Sequence, residues 1–313
     1  MKQPLQGYLL LDSIHITYAN AVSSPLTYGF PAITGFLGAM HALNRKTRQH
    51  PALANITFDG IAVACHEHHI LTNQRSPYAD HTFNQTRNPI LKSGKTAAIV
   101  EEGKCHITVS LVIAIAADSD PDDHTRNELI NCVRQRLWQQ RIAGGSITSD
   151  PQQTRIEYIP AAKADTIPVE LLPAYLLMDA GNDLADITAE LRKKHPQTTP
   201  LDALIDVCTL HHIPESNGKH TKWHVQTAKS GRGWLVPIPI GYQGIAPLFA
   251  AGTLGNARNP DYPAQYVEAI YTLGKWLFPY RLKDNDIKNA LWHYHYDREN
   301  DRYLATQTPN KEH

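Results

Sequence analysis

Three groups of residues set a charge or an amide beside backbone that can turn sharply. Arg87-Asn88-Pro89 and Arg258-Asn259-Pro260 repeat one tripeptide on two turns, each with a cation for a phosphate and an amide for a base edge. Arg141-Ile142-Ala143-Gly144-Gly145-Ser146 places a guanidinium next to a nearly side-chain-free backbone of the kind that cradles anions. The loop from Asn20 to Pro31 supplies Asn20, Ser23, Ser24 and Thr27 ahead of a helix start, where open N–H groups favour phosphate. Singly, each is a common turn or cap. Together they point to a folded single-stranded nucleic acid, and to RNA above other chemistries.

Other chemistries have weaker support. Lys92-Ser93-Gly94-Lys95-Thr96 resembles the end of a phosphate loop, but Pro89 stands where the first glycine belongs and Glu101-Glu102-Gly103 breaks the required helix. Gly231-Arg232-Gly233 lacks the third glycine of a dinucleotide loop. In Cys65-His66-Glu67-His68-His69, a regular strand points His66 and His68 one way and the others the opposite way, so neither face offers a metal set. Asp118, Asp120, Asp122 and Asp123 lack the glycine and glutamate of a calcium loop. There is no G-x-S-x-G elbow and no H-E-x-x-H helix. The expectation is no catalytic centre, no metal and no cofactor.

The elements that must hold these residues read as alternating α/β. Strands are expected over Leu9–Thr17, Ile56–Cys65 and His106–Ile113, the last with Ile107, Val109, Leu111 and Ile113 alternating with polar residues. Between the first two, Ile33, Phe36, Leu37 and Met40 follow Pro31 at helical spacing, on a helix that also carries Gly35, Gly38 and His41. Gly35 implies a close neighbour, either a packed strand or a ligand. A second helix opens at Asp122 or Asp123, buries Leu129, Val133 and Leu137, holds Arg134, Arg136 and Arg141 in its last turn, and stops at Gly144-Gly145. Strand, helix, strand, strand, helix is the order of a ferredoxin-like unit with 66–104 as an excursion. Farther on, helices are expected after Thr199-Pro200, from Pro263 to Leu277 and over Asp284–His293, with strand and loop over 231–260. The later part, 217–313, is expected to dock on the same body, giving one unit over 1–313.

Charge is unevenly distributed over the 313 residues although the total is zero. Residues 1–117 carry nine Lys and Arg against six acids, 118–216 nine against sixteen, and 217–313 twelve against eight. Ser13–Phe58 and Asn217–Pro260 contain no acid at all, so an anion is met locally where the overall balance gives no attraction. No apolar run approaches a membrane span, no secretory signal opens the chain, and Cys65, Cys105, Cys132 and Cys208 form no C-x-x-C, so a reducing cytoplasm is the expected compartment.

Several longer strings make a recognisable pattern: Asn20-Ala21-Val22-Ser23-Ser24-Pro25-Leu26-Thr27-Tyr28-Gly29-Phe30-Pro31, Thr86-Arg87-Asn88-Pro89, Thr96 to Gly103, Ala143-Gly144-Gly145-Ser146-Ile147, Gly233 to Pro239, and Gly255-Asn256-Ala257-Arg258-Asn259. In the same order and over nearly the whole chain, these strings resemble the second-subunit family of the type I-F CRISPR surveillance (Csy) complex. The resemblance implies a RAMP protein with a ferredoxin-like (RRM-like) body and a thumb, here the 66–104 excursion. It further implies binding of the crRNA 5′ handle, contacts with the large subunit and the first backbone subunit in antiviral defence, and guide processing by a different subunit. RNA contacts are then expected from Asn20, Ser23, Ser24, Gly35, His41, Arg87, Asn88, Arg141, Gly144, Gly145, Ser146, Arg258 and Asn259. The aromatic stacking signature of ordinary RNA-recognition domains is not apparent. The alternative is a RAMP-type endoribonuclease that processes precursor crRNA, with His41 as its acid or base.

Overall fold

A computed structural model of the chain describes residues 3–307 other than 217, 219 and 258. It divides into two compact units, the first ending at Leu176 and regaining Phe278–His293, the second comprising Leu177–Leu277 and the chain from Tyr294. Architecture is mixed α/β, with antiparallel sheet as its largest part. Among the described residues no helix is long and apolar enough to cross a membrane.

The first unit begins with β1 (Leu5–Asn20), a small hairpin of β2 (Val22–Ser24) and β3 (Thr27–Tyr28), then α1 (Ile33–Thr47) and β4 (Thr57–Ile70). A separate three-stranded sheet follows, made of β5 (Thr72–Asn73), β6 (Thr82–Arg87) and β7 (Ile99–Glu102), before the chain returns as β8 (Lys104–Ala116). Next come α2 (Asp123–Leu137), the hairpin of β9 (Arg141–Ile142) and β10 (Gly145–Ile147), β11 (Ile156–Pro160), the single turn α3 (Ile167–Glu170) and β12 (Tyr175–Asp179). In space β4 pairs with β8, β8 with β1, and β1 with β11 over Gly7–Leu11 and with β10 at Ile16 and Thr17, every pair antiparallel. Both long strands outrun the expected excursion bounds, β4 continuing to Ile70 and β8 starting at Lys104.

Burial along β1 explains where a ligand can reach the sheet. Tyr8, Leu9, Leu10 and Leu11 are all fully buried, so that half is covered on both faces. From Ile14 to Thr17 buried and open positions alternate, which leaves one face accessible. On the other face α1 buries Phe36, Leu37 and Leu43, each stabilising the fold by about 1.5–3 kcal/mol relative to exposure. The returning segment 278–293 closes the edge of β4, where the backbones of Trp292 and Ile61 exchange hydrogen bonds of 2.8 and 3.0 Å.

In the second unit, α4 (Gly181–Arg192) and α5 (Pro200–Cys208) precede the hairpin of β13 (His211–Ser216) and β14 (Thr221–Gln226). Then come β15 (Trp234–Gly244), β16 (Val267–Leu277), β17 (His293–Asp297) and β18 (Arg302–Thr306), with β15 between β16 and β18. Ala180, Ile187, Ala203, Leu204, Val207, Leu235 and Leu273 form its core. A reciprocal capping box between Thr199 and Asp202 starts α5.

Three expectations are corrected. Within the segment from Pro263 to Leu277, Val267–Leu277 is strand β16, because i, i+4 apolar spacing fits strands as well as helices and pairing along β15 decides between them. Over Asp284–His293 the chain makes short 3-10 turns leading into β17, and Asp284 at φ +56° prevents a continuous helix. Finally, α2 ends at Leu137, and the glycines expected as its stop lie in the β9–β10 hairpin, Gly144 in its turn and Gly145 at the start of β10, so Arg141 lies on a strand.

Candidate RNA interface

The β9–β10 hairpin has two turn residues, Ala143 and Gly144, at φ +49° and +81°. A two-residue turn with both residues left-handed matches the natural strand twist, and it strongly favours glycine. This turn lies against the end of β1, where the Asn20 N–H donates to the Ala143 carbonyl at 2.9 Å. A β-carbon at Gly144 would stand 2.7 Å from Asn20 Nδ2, and one at Gly145 would meet the Thr17 oxygen at 2.7 Å and the Ala19 nitrogen at 2.8 Å. From the helix side, Gly35 admits Ala143, whose Cα would be 3.1 Å from an added β-carbon. The close neighbour implied by Gly35 is therefore this hairpin.

Lys104 completes the corner by donating from Nζ to Asn20 Oδ1 at 2.8 Å. The cation fixes the amide with its oxygen inward, which turns the NH2 group towards the glycine turn. Beyond Asn20, the Ala21 N–H donates to the Gly103 carbonyl and the Gly29 N–H to the Ala21 carbonyl, binding the β2–β3 hairpin to the foot of the excursion. Tyr28 meets Phe83 edge-on at 5.5 Å in the same place. The serine hydroxyls are engaged inside their own turn, Ser23 Oγ and Ser24 Oγ lying 2.8 and 2.6 Å from Thr27 Oγ1. Directly after this hairpin α1 begins without any side-chain cap and with no acid in its first turn.

Asn20, Gly35, Arg141, Gly144, Gly145 and Ser146 thus converge on one corner, with Ser146 paired to Arg141 across the hairpin and to Thr17 of β1. Arg87 ends β6 opposite Ile99, at the end of the β6–β7 ladder away from Asn84 and Glu102, and Asn88 follows in an exposed loop. His41 is exposed on α1. Asn259 belongs to the second unit, and its Oδ1 accepts from the Asp261 N–H at 3.1 Å, closing its own turn. Arg258 lies outside the described residues.

Lys104 was missed because it falls at the last position of the 66–104 excursion, two residues ahead of the strand expected from His106, whereas β8 starts at Lys104 itself. The histidine cluster also differs from expectation. A bulge between Cys65 and Glu67 breaks the alternation, so His66 and His68 point to opposite faces. His66 Nε2 reaches Ser110 Oγ at 2.7 Å, whereas His68 Nε2 reaches the Gly29 carbonyl at 3.2 Å and its ring touches Phe30. Burial holds both imidazoles below their ordinary value, against the pull of Asp12 on His66 and of the Gly29 carbonyl on His68. Burial likewise pushes the Cys65 thiol up to about 12 and Cys105 up to about 11, so neither supplies a thiolate at neutral pH. Among the described residues no group of three metal-ligating side chains converges.

A corner that joins a glycine turn, an anchored amide and two cations suits a phosphate backbone with one base edge within reach. The family model described as "CRISPR-associated protein (Cas_Csy2)" matches residues 9–305. A curated relative, "CRISPR-associated protein Csy2" of Pseudomonas aeruginosa (strain UCBPP-PA14), is 34% identical over 313 residues, covering 93% of this chain and 92% of the relative. With the match running through every strand that builds the corner, the chain belongs to the CRISPR-associated Csy2 family.

Proposed function

We propose that the protein is a non-catalytic subunit of a type I-F CRISPR surveillance complex and holds the 5′ handle of the crRNA at the Asn20–Gly144 corner. The single observation that carries this reading is the convergence of Asn20, Lys104, Arg141 and the Ala143-Gly144 turn, with no acid between Ser13 and Phe58. The start of α1, with no side-chain cap and no acid in its first turn, adds a helix N-terminus that favours an anion. The spatial order β4–β8–β1–β11, antiparallel throughout, supports a ferredoxin-like RAMP body in which residues 71–103 serve as the thumb.

Protein partners are the second half of the reading, namely the large subunit and the first backbone subunit. On α5, Ala203, Leu204 and Val207 are buried while Leu201 and Ile205 are 52% and 55% exposed. A helix apolar on both sides fits an assembly better than free solution. The test is co-expression with the other subunits and a guide, followed by competition between handle and scrambled RNA. Preferential retention of the handle is expected, and equal retention of both sequences would remove the reading.

A further inference from the structure

Rows of polar side chains cross the face of the β4–β8–β1 sheet turned away from α1. Phe30 stacks on Phe36 of α1 and touches His68, so His68 marks the helix side. On the opposite side Glu67 and Thr108 pair across β4 and β8, His15 joins Thr108 from β1, and His69 pairs with His106 one row farther on. Together with Thr17 and Thr148 they line a depression of about 490 Å³, within the range of small-ligand pockets.

Proton accounting assigns both histidine tautomers. Thr108 Oγ1 donates its only hydrogen to Glu67 Oε2 at 3.4 Å, because a carboxylate only accepts. In the arrangement that keeps both contacts, His15 Nδ1, 3.0 Å from the same hydroxyl, donates to it, and Nε2 of neutral His15 is then an acceptor. His106 has the reverse arrangement. Its Nδ1 accepts from the Tyr18 N–H at 3.3 Å, so Nε2 of the neutral ring carries the proton. Among the described residues neither Nε2 has a partner. The depression therefore presents one acceptor and one donor.

Tyr18 stands beside them at φ +56°, at a register shift between Ile16 and Ala19. A bulky residue in the left-handed region is strained, and such strain concentrates where a ligand is held. Its ring is 61% exposed and perpendicular to that of His106 at 5.2 Å, so at least one aromatic face is open for stacking. Glu67 lines the same depression, so an anionic phosphate is repelled and a neutral ring is favoured. Thr17 pairs with Ser146, one ladder step from the glycine turn, so a strand held at that turn reaches the depression within a nucleotide or two.

We infer that this depression is a pocket for a single unstacked RNA base, read by the His15 acceptor and the His106 donor and stacked on Tyr18. The inference rests on the handle reading above and adds to it the base-recognition chemistry of an unassigned face.

The test uses the full chain purified with its co-expressed subunits and a set of handle RNAs, each abasic at one position. For the unsubstituted chain, one abasic position is expected to weaken binding about tenfold. His106→Phe keeps the ring and loses the donor, so it should weaken the intact handle by a similar factor and bind the RNA abasic at that position no worse than the unsubstituted chain does. His15→Phe provides the same comparison if His106→Phe melts early. Should both variants bind every RNA as the unsubstituted chain does, while the handle is still preferred to a scrambled sequence, the pocket is overturned and the handle reading stands. No preference for the handle in the unsubstituted complex would overturn both.

Discussion

The side chain of Asn20 occupies the space that a β-carbon on Gly144 would fill, with Nδ2 2.7 Å from the ideal position. An amide on one strand and a missing side chain on the neighbouring turn are thus a single fitted unit. Lys104 holds the amide from the other side.

Gly144→Ala and Gly145→Ala should separate folding from RNA binding. At Gly144 the obstacle is the end of a flexible side chain, so the fold survives with a loss of about 1–2 kcal/mol for alanine in the left-handed region. Asn20 must swing away, and handle affinity falls. At Gly145 the obstacles are the backbone atoms of Thr17 and Ala19, and the loss should approach about 3 kcal/mol. Thermal melts and handle titrations check this, and equal stability losses would contradict the assignment.

Arg87 and Arg141 are exposed, and neither has an ion-pair partner among the described residues. If each touches a phosphate, replacing it with alanine lowers the log–log salt slope of handle binding by about one unit. An unchanged slope in the Arg87→Ala, Arg141→Ala double variant would show that these positions serve only as turns.

His66 should make the fold sensitive to mild acid. Burial lowers its value in the folded chain beneath the ordinary 6.5, although Asp12 and Glu67 pull the other way and His15 adds to the lowering. As pH falls below 6.5 the unfolded chain binds a proton that the folded chain does not, so stability decreases until the lowered folded value is reached. His66→Gln retains a partner for Ser110 and removes the titration. Melting temperatures between pH 7.5 and 5.5 should therefore fall less steeply in the variant than in the unsubstituted protein.

The subunit should leave repeat RNA intact, because His41 has no described acid, base or cation within hydrogen-bond reach. Labelled repeat RNA incubated with the purified protein, with and without divalent metal, is expected to remain full length. Site-specific cleavage lost in His41→Ala would establish the ribonuclease alternative.

Ile205→Glu places a charge on the open side of α5 without touching the buried Ala203, Leu204 and Val207. The variant should fold and melt normally but copurify with less of the large subunit. Unchanged copurification would assign the docking surface elsewhere.

The sequence was most legible where one local rule acted alone. The strand β8, the Asp122 cap of α2 and the Thr199 cap of α5 each follow from neighbouring residues, and each appears in the structure, although β8 is buried on both faces from Ile107 onward. The glycine turn was legible as a sharp turn but not as a hairpin, because nothing between Trp138 and Gln140 announces the end of α2. Distant pairing governed the misses. β16 is a strand through its register with β15, and the His66 bulge exists because β4 must stay in step with β8 on both sides of it. Tyr18 was passed over because a backbone irregularity, invisible in residue types, turns it onto His106.

The excursion leaves the sheet just after Ile70 and returns just before Cys105, two residues that face each other across the β4–β8 ladder. The Leu71 N–H donates to the Lys104 carbonyl at 2.8 Å, clasping the stem shut. A segment joined through a clasp of this kind leaves the register of the core unaffected by its length. Lengthening it adds only a slowly growing loop-closure cost, roughly 0.6 kcal/mol per doubling. The length of the segment between the clasp residues can therefore change at little cost to the sheet, while Gly103 and Phe83 stay tied to the β2–β3 hairpin at its foot.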